Sequence, residues 1–524
     1  MGRLGGSESI VNLQTSTPRR EYAMQRWYTL ILVSTLVLPT TAASAEAAPP
    51  ASPFTETDRI FEDYRLDAHI PGMVYGVVVD GKLVHVGASG IAELDSKRAV
   101  NADTLFRIAS MTKAFTALTV LKLRDDGKLG LDAPAEEYVP ELRGWKYPTT
   151  DSPKIRVRDL LNHVAGFVTD DPWGDRQTPL PEEDFTRLLR DGPPFTRAPA
   201  MSFEYSNFGY ALLGRIITNV SDQPYADTIT STLLTPLGMS DSGFVADAAP
   251  QAKRALGYRW EDDAWRPEPT LGPGAFGAMG GLQTSANDYA RWVAYLLSAW
   301  PPRDGAENGP VKRATVRELA QGSNFPRSRQ RFGRAEGPGC EQSVTYGMGM
   351  HVALDCDLGV TLSHSGGYPG FGSHVLLLPE RGVGIFAFAN RTYAGASKPV
   401  WDAAMALLKT GTLGEKRIVP ISDALREAYR VSGAIYTAGS IASERAQLAM
   451  NFLLDRSEEG WGRDIAKLRA QVGACETGSP IEPDGALAGE FTWRCEHGRL
   501  KGTLLLAPTI PARIQALELE VIRP

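Results

Sequence analysis

Residues 106–123 read FRIASMTKAFTALTVLKL, an extended segment that turns into an amphipathic helix. Within it, Ser110 and Lys113 are three apart. On a helix that spacing puts two side chains on one face, so Lys113 stands one turn behind the Ser110 hydroxyl. A serine hydroxyl is a weak nucleophile until a base takes its proton. A desolvated lysine is such a base, or it holds another base deprotonated. A helix start also offers free backbone N–H groups and a positive dipole end, which suit a developing oxyanion. Taken alone the pattern is weak. A chain of 524 residues is expected to show S-x-x-K roughly once by chance, and a Ser cap with a surface Lys explains it equally well.

Composition narrows the class. The chain is 22 % charged and 43 % hydrophobic, which is globular and large enough for two or more cores. A formal net charge of -6 leaves no electrostatic footprint for nucleic acid. The 52 Gly and 36 Pro show no period, so no repeat architecture is indicated. Near the start, Arg26 precedes the apolar run WYTLILVSTLVL at 27–38, and Ala43-Ser44-Ala45 follows. That order predicts a cleavable export signal with cleavage near Ala45 and a periplasmic or secreted mature protein. The run is too short to span a membrane. Export makes the four cysteines legible as two local disulfides, Cys340–Cys356 and Cys475–Cys495. Neither C-x-x-C nor H-E-x-x-H occurs, so no metal site is expected.

Four segments follow from the patterning. Residues 1–45 are an N-terminal extension and signal, 46–53 a leader, 54–411 a main domain and 412–524 a small α+β domain of unknown role. In the main domain, apolar runs at 72–79 and 82–89 flank Asp80-Gly81, a strong hairpin signal. Residues 132–300 read as mostly helical. Strand patterns return at 346–353, 360–364, 373–379 and 382–389, followed by a helix at 398–409. One antiparallel sheet built from both ends of the domain, covered by helices and interrupted by a helical insertion, is the economical α+β fold. Beyond 412, helical stretches at 421–431 and 440–472 precede strands at 488–495, 499–506 and 514–521.

A nucleophile needs a base, an orienting polar group and an oxyanion site. Tyr205-Ser206-Asn207 places a phenol and an amide two apart, so both point the same way in an extended segment. His364-Ser365-Gly366-Gly367 closes a strand with glycines that admit a substrate backbone. The order S-x-x-K, Y-x-N, then H-x-G at a late strand end resembles the serine β-lactamase-like superfamily, in its class C branch of β-lactamases, carboxylesterases and D-aminopeptidases. LRDDGKLGLDAPAEEYVPEL (123–142), LLNHVAGF (160–167), FEYSNFGYALLG (203–214), PLGMSDSGF (236–244) and GAMGGLQTSANDYARWVAYLL (277–297) extend the likeness over about residues 55–410.

The resemblance implies roles residue by residue. Ser110 is the nucleophile. Lys113 lowers the pKa of Tyr205, which takes the Ser110 proton and later protonates the leaving group. Asn207 holds a substrate carbonyl or amide, and backbone N–H groups of Ser110 and Gly367 form the oxyanion hole. His364 lines the site and either orients Tyr205 or meets a substrate carboxylate. No cofactor is implied. The departure is at the third motif, where β-lactamases carry Lys-Thr-Gly and this chain carries His364-Ser365-Gly366. A histidine lacks the permanent charge of a lysine, so an esterase or D-amino-acid peptidase fits better than a class C-like β-lactamase or a penicillin-binding D-alanyl carboxypeptidase. Lys409-Thr410-Gly411 is set aside because it closes a helix. Trp173 and Arg176, in a Gly/Pro loop, and Arg391, at a strand end, are further candidates for substrate contact, together with Ser365 and Gly366. His163, His351, His374 and His497 read as structural. The expected substrate is a small ester, amide or peptide. The competing reading is a non-catalytic peptidoglycan- or partner-binding protein on a hydrolase fold.

Overall fold

Asp80 and Gly81 both take left-handed backbone angles, φ 48° and 78°, which a two-residue hairpin of matched twist requires. They join β1 (Gly72–Val79) to β2 (Lys82–Glu93). The computed structural model describes residues 52–331, 340–417 and 420–522. The expected export signal and nearly all of the leader lie outside the described residues.

The hairpin opens a nine-stranded antiparallel sheet. Its other strands are β3 (Arg98–Ala99), β4 (Arg327–Gln330), β5 (Glu341–Tyr346), β6 (His351–Asp355), β7 (Gly359–Tyr368), β8 (Phe371–Leu378) and β9 (Val383–Ala389). The order is 3-2-1-9-8-7-6-5-4. β1 pairs with β9 from Met73↔Ala389 to Val79↔Val383, and this seam joins the two ends of the domain. The central strands are apolar without alternation because both faces are covered. Met73, Tyr75, Val77, Ile385 and Ala387 pack with helices α1 (Thr55–Asp67) and α5 (Ser397–Lys409). Val74, Val78, Phe386 and Phe388 join the larger core beneath α2 (Lys113–Asp125), α3 (Asn207–Ser221) and α4 (Ala286–Leu297). Trp292 of α4 stacks on Phe115 of α2 with ring centroids 3.9 Å apart. The architecture is the α+β fold expected from the sequence.

Residues 425–517 contribute a separate apolar cluster around Trp493, Leu500 and Ile435. It lies under a five-stranded sheet whose main strands are Ala488–Cys495, Gly498–Leu506 and Ile514–Ile522. Both expected disulfides, Cys340–Cys356 and Cys475–Cys495, are present.

Three expectations need correction. Residues 346–353 are not one strand. Tyr346 ends β5 and pairs with His351 at the start of β6, because Gly349 turns left-handed (φ 85°) and the Gly347 amide donates to the Met350 carbonyl at 2.8 Å. The stretch 440–472 is not continuous helix either. A short helix at Phe452–Asp455 breaks before Glu458–Val472, whose first turn is capped by the Ser457 hydroxyl accepting from the Gly460 amide. The helical insertion also holds a small hairpin, Tyr258–Glu261 with Ala264–Pro267. Its turn is Asp262-Asp263, both at positive φ. Without a glycine the pair carries little turn signal.

Gly366 on β7 packs directly against the turn that follows Ile108. A Cβ there would lie 2.2 Å from the Ser373 hydroxyl and 2.3 Å from the Ile108 carbonyl. Gly366→Ala is expected to cost about 1–3 kcal/mol through overpacking and to displace the turn that follows Ile108. A lowered thermal midpoint together with slower labelling of Ser110 by a fluorophosphonate probe checks this.

Candidate active site

Ser110 lies in a 3-10 turn, Ala109–Thr112, immediately ahead of α2. Residues three apart eclipse one another in that geometry, and Lys113 Nζ sits 3.0 Å from Ser110 Oγ. Ala109 takes a left-handed φ of 48°, strained for a residue with a Cβ and typical of functional turns. The turn is held from several sides. Ser373 Oγ donates to the Ile108 carbonyl at 2.8 Å, and Thr112 Oγ1 donates to the Ala109 carbonyl at 2.7 Å.

Lys113 is fully buried. Besides Ser110 Oγ, its Nζ contacts Asn207 Oδ1 at 2.7 Å and the Met279 carbonyl at 2.9 Å. Those two oxygens can only accept. A neutral amine gives its two N–H groups to them and turns its lone pair toward the Ser110 hydroxyl. Burial lowers the Lys113 pKa to about 8, while the carboxylates of Asp171, Asp175 and Asp170 pull the other way.

Asn207 starts α3 and is itself fully buried. Its Nδ2 donates to Asp171 Oδ1 at 3.0 Å and Asp175 Oδ1 at 3.4 Å, which fixes the amide orientation. Both ends of the amide are therefore engaged within the protein. In this structure the amide orients Lys113. Asp170 accepts from the Asn207 and Phe208 amides at 2.6 and 2.8 Å and so caps α3. Gly174 makes the close approach possible, since a Cβ there would lie 2.7 Å from Asn207 Cβ.

Tyr205 also departs from expectation. Lys113 Nζ lies 4.9 Å from the centre of the Tyr205 ring, over its face. Burial first, then the negative charge of Asp171, push the phenol well above its usual pKa, against the smaller opposing effect of a hydrogen bond with Ser110. The phenol is therefore held neutral rather than lowered in pKa by Lys113. His163 packs on its ring at 4.3 Å and accepts from the Ser206 amide at 3.1 Å. It is buried, and desolvation holds it neutral.

His364 is committed within the protein. Its Nδ1 meets the Ser365 carbonyl at 2.6 Å, so Nδ1 carries the hydrogen, and Nε2 accepts from the Tyr346 hydroxyl at 2.9 Å. Burial pushes its pKa well below the usual value. Neither nitrogen is bonded to Tyr205, and neither is free to donate to a carboxylate.

Ser110, Tyr205, His364, Ser365 and Gly367 line one cavity of about 370 Å³. Asp171, Asp175, Arg327, His351 and Tyr393 complete it with Phe203, and none of these six was singled out as a cavity residue in the sequence. Asp171 and Asp175 had a faint signal, since they stand four apart around Gly174 in the loop that drew attention for its Trp. Burial and the neighbouring Asp171 push the Asp175 carboxyl up to about 7. Trp173, by contrast, is half-exposed and stands edge-on to Phe276 at 5.7 Å. Trp173, Arg176, Gly366 and Arg391 are not part of the cavity wall.

A sequence model of the Beta-lactamase family matches residues 57–409. The chain belongs to the β-lactamase family. Protein flp of Staphylococcus aureus (strain N315) is 30 % identical over 342 residues, 64 % of this chain and 62 % of flp. The chain thus spans about three-fifths of that relative's length. Among solved structures, an octameric penicillin-binding protein homologue from Pyrococcus abyssi superposes with a TM-score of 0.56 at 19 % identity, covering 90 % of this chain and 96 % of that one. A class C β-lactamase gives a TM-score of 0.53 at 22 % identity, covering 68 % of this chain and 96 % of that chain. These likenesses establish the fold.

Because Asn207 satisfies an amine and two carboxylates at once, Asn207→Ala strips a partner from buried Lys113 and buried Asp175 as well as from exposed Asp171. Each buried group costs about 1–3 kcal/mol when left unmet. A clear fall in the urea midpoint at pH 7 is the expected outcome.

Proposed function

We propose that this protein is an exported serine hydrolase that cleaves an ester or amide through an acyl-enzyme on Ser110, of esterase or D-amino-acid peptidase type. One observation carries the reading: a buried lysine whose two N–H groups are taken by carbonyl-type acceptors, leaving its lone pair on the nucleophile. Lys113 takes the Ser110 proton as Oγ attacks the carbonyl carbon. The oxyanion is received by backbone N–H groups, for which Ser110 and Gly367 at the cavity wall are the candidates. Tyr205, neutral and next to Ser110 Oγ, gives its proton to the departing oxygen or nitrogen and recovers one from Lys113. Water then cleaves the acyl-enzyme by the reverse sequence. The neutral, fully bonded His364 leaves the third motif without a standing cation, which supports an esterase or peptidase at that motif, while Arg327 is the cation that the cavity wall does carry. The Ala43-Ser44-Ala45 pattern after residues 27–38 supports export.

The primary test is intact mass after quenching a reaction with p-nitrophenyl butyrate. An acyl adduct on wild type and none on Ser110→Ala is expected; no adduct on wild type, with no fluorophosphonate labelling, would return the protein to the binding-protein reading. Lys113→Met and Tyr205→Phe are each expected to lower kcat/KM by about 10²–10⁴-fold.

The pH dependence follows from the base. Lys113 works as the free amine, so kcat/KM falls as pH drops below about 8. The charge of Asp175 raises the Lys113 pKa; removing it lets desolvation act further. Asp175→Asn is therefore expected to move the rising limb of the pH–rate profile to lower pH. A shift to higher pH would contradict Lys113 as the base.

A further inference from the structure

Arg107 stands three residues ahead of Ser110 and is buried. Its guanidinium donates through Nη1 to the Leu271 carbonyl at 2.6 Å and through Nη2 to the Tyr368 hydroxyl at 3.1 Å. The guanidinium carbon lies 4.7 Å from the centre of the Tyr368 ring. These partners are a carbonyl, a phenol and a π face, and none brings a negative charge. Among the described residues Arg107 forms no ion pair with a carboxylate, and its Nε is buried without an acceptor. Dipoles and a ring quadrupole soften the desolvation of a cation, but a buried arginine is ordinarily matched by an anion. Arg331 shows the usual solution. It is just as buried, and it pairs with Asp355 at 2.7 Å and Asp357 at 2.5 Å.

Arg107 lines a small cavity of about 20 Å³, on the order of one or two water molecules. Arg254 lines it too. The outer end of Arg254 pairs with exposed Asp247 at 2.7 Å, while its Nε, like that of Arg107, is buried without an acceptor. The backbone brings the two arginines together. Leu105 bridges to Arg254 in parallel, and Arg107 follows Leu105 by two residues in an extended stretch. Side chains two apart on a strand share a face, and all three residues line the cavity. No aspartate or glutamate lines it. From two cations, two orphaned donors, no acid and a space of atomic size, we propose that this cavity is a halide site. One chloride ion accepts from Arg107 Nε and Arg254 Nε and supplies the negative charge that Arg107 lacks. A water molecule meets a donor but brings no charge, and the space suits a monatomic anion better than a polyatomic one. The site shares no lining residue with the cavity at Ser110 and stands whether or not Ser110 forms an acyl-enzyme. It nevertheless joins two flanks of that cavity, because Arg107 leads into the nucleophile turn and Tyr368 follows Gly367.

Thermal midpoints of the purified full chain are read as chloride replaces gluconate at constant ionic strength. Wild type is expected to gain about 1–3 °C along a saturating curve, as mass action requires of a ligand held only by the folded state. Bromide is expected to substitute for chloride. Arg107→Met is expected to remove the response, and Arg254→Gln to raise the half-saturating concentration several-fold. A midpoint that ignores chloride in wild type, or a saturating rise that persists in Arg107→Met, overturns the proposal. Should Arg107→Met fail to fold, crystals of wild type grown in bromide decide. An anomalous peak in contact with the Nε atoms of Arg107 and Arg254 supports the halide site, and no peak there, or water density alone, overturns it.

Discussion

The constraint on which the site depends is the burial of Lys113. An ammonium removed from water is strongly disfavoured unless charges and hydrogen bonds replace the lost solvent. Here the replacement is deliberate and incomplete. Three carboxylates, Asp170, Asp171 and Asp175, favour the charged form, and none forms an ion pair with Nζ at contact distance. Burial outweighs them, and the amine is left with a pKa of about 8. A tighter ion pair would fix the proton on lysine and leave Ser110 without a base. A wholly apolar setting would lose the acceptors that aim the lone pair. Asn207 reconciles the two by giving its oxygen to the amine and its nitrogen to the acids.

That arrangement requires parts far apart in sequence to meet within hydrogen-bond distance. The β1–β9 seam draws residues 72–79 onto 383–389, which makes the sheet one rigid platform. The turn carrying Ser110 is fastened to it where Ser373 of β8 donates to the Ile108 carbonyl and where Gly366 of β7 leaves room. From the other side, Asp170 caps α3 and thereby sets Asn207 against Lys113. The Met279 carbonyl comes from a third segment, four residues before β-paired Gln283. The strain at Ala109 is retained because these contacts leave the turn no alternative.

What the sequence disclosed was local. Ser110–Lys113 and Tyr205–Asn207 have spacings that impose a shared face, and Asp80-Gly81 forces a turn, so motif and fold class could be read directly. Roles that depend on who else is present could not. Tyr205 was legible as a phenol near a lysine, which suggests a lowered pKa; the decisive neighbours were Asp171 and burial, and these reverse the sign. Asn207 was legible as a polar group near the nucleophile, but its partners lie 32 to 94 residues away. Arg327 stands in a stretch with no motif and enters the cavity only through the sheet order that places β4 at the edge.

His364 stands at a strand end facing the cavity, and its chemistry there decides what the other lining residues must supply. A lysine at a strand end facing the cavity is a permanent cation with three donors. His364, desolvated and neutral, has one donor and one acceptor, and spends them on the Ser365 carbonyl and the Tyr346 hydroxyl. It becomes part of the wall. Positive charge at the cavity then comes from Arg327 alone among the residues lining it, since Lys113 lies behind Ser110 and the other lining charges are the acids Asp171 and Asp175. The cavity is consequently polar along its length, acidic beside Asn207 and basic beside Phe203. A substrate bearing charge is oriented by that field before any hydrogen bond forms, and a neutral one is not.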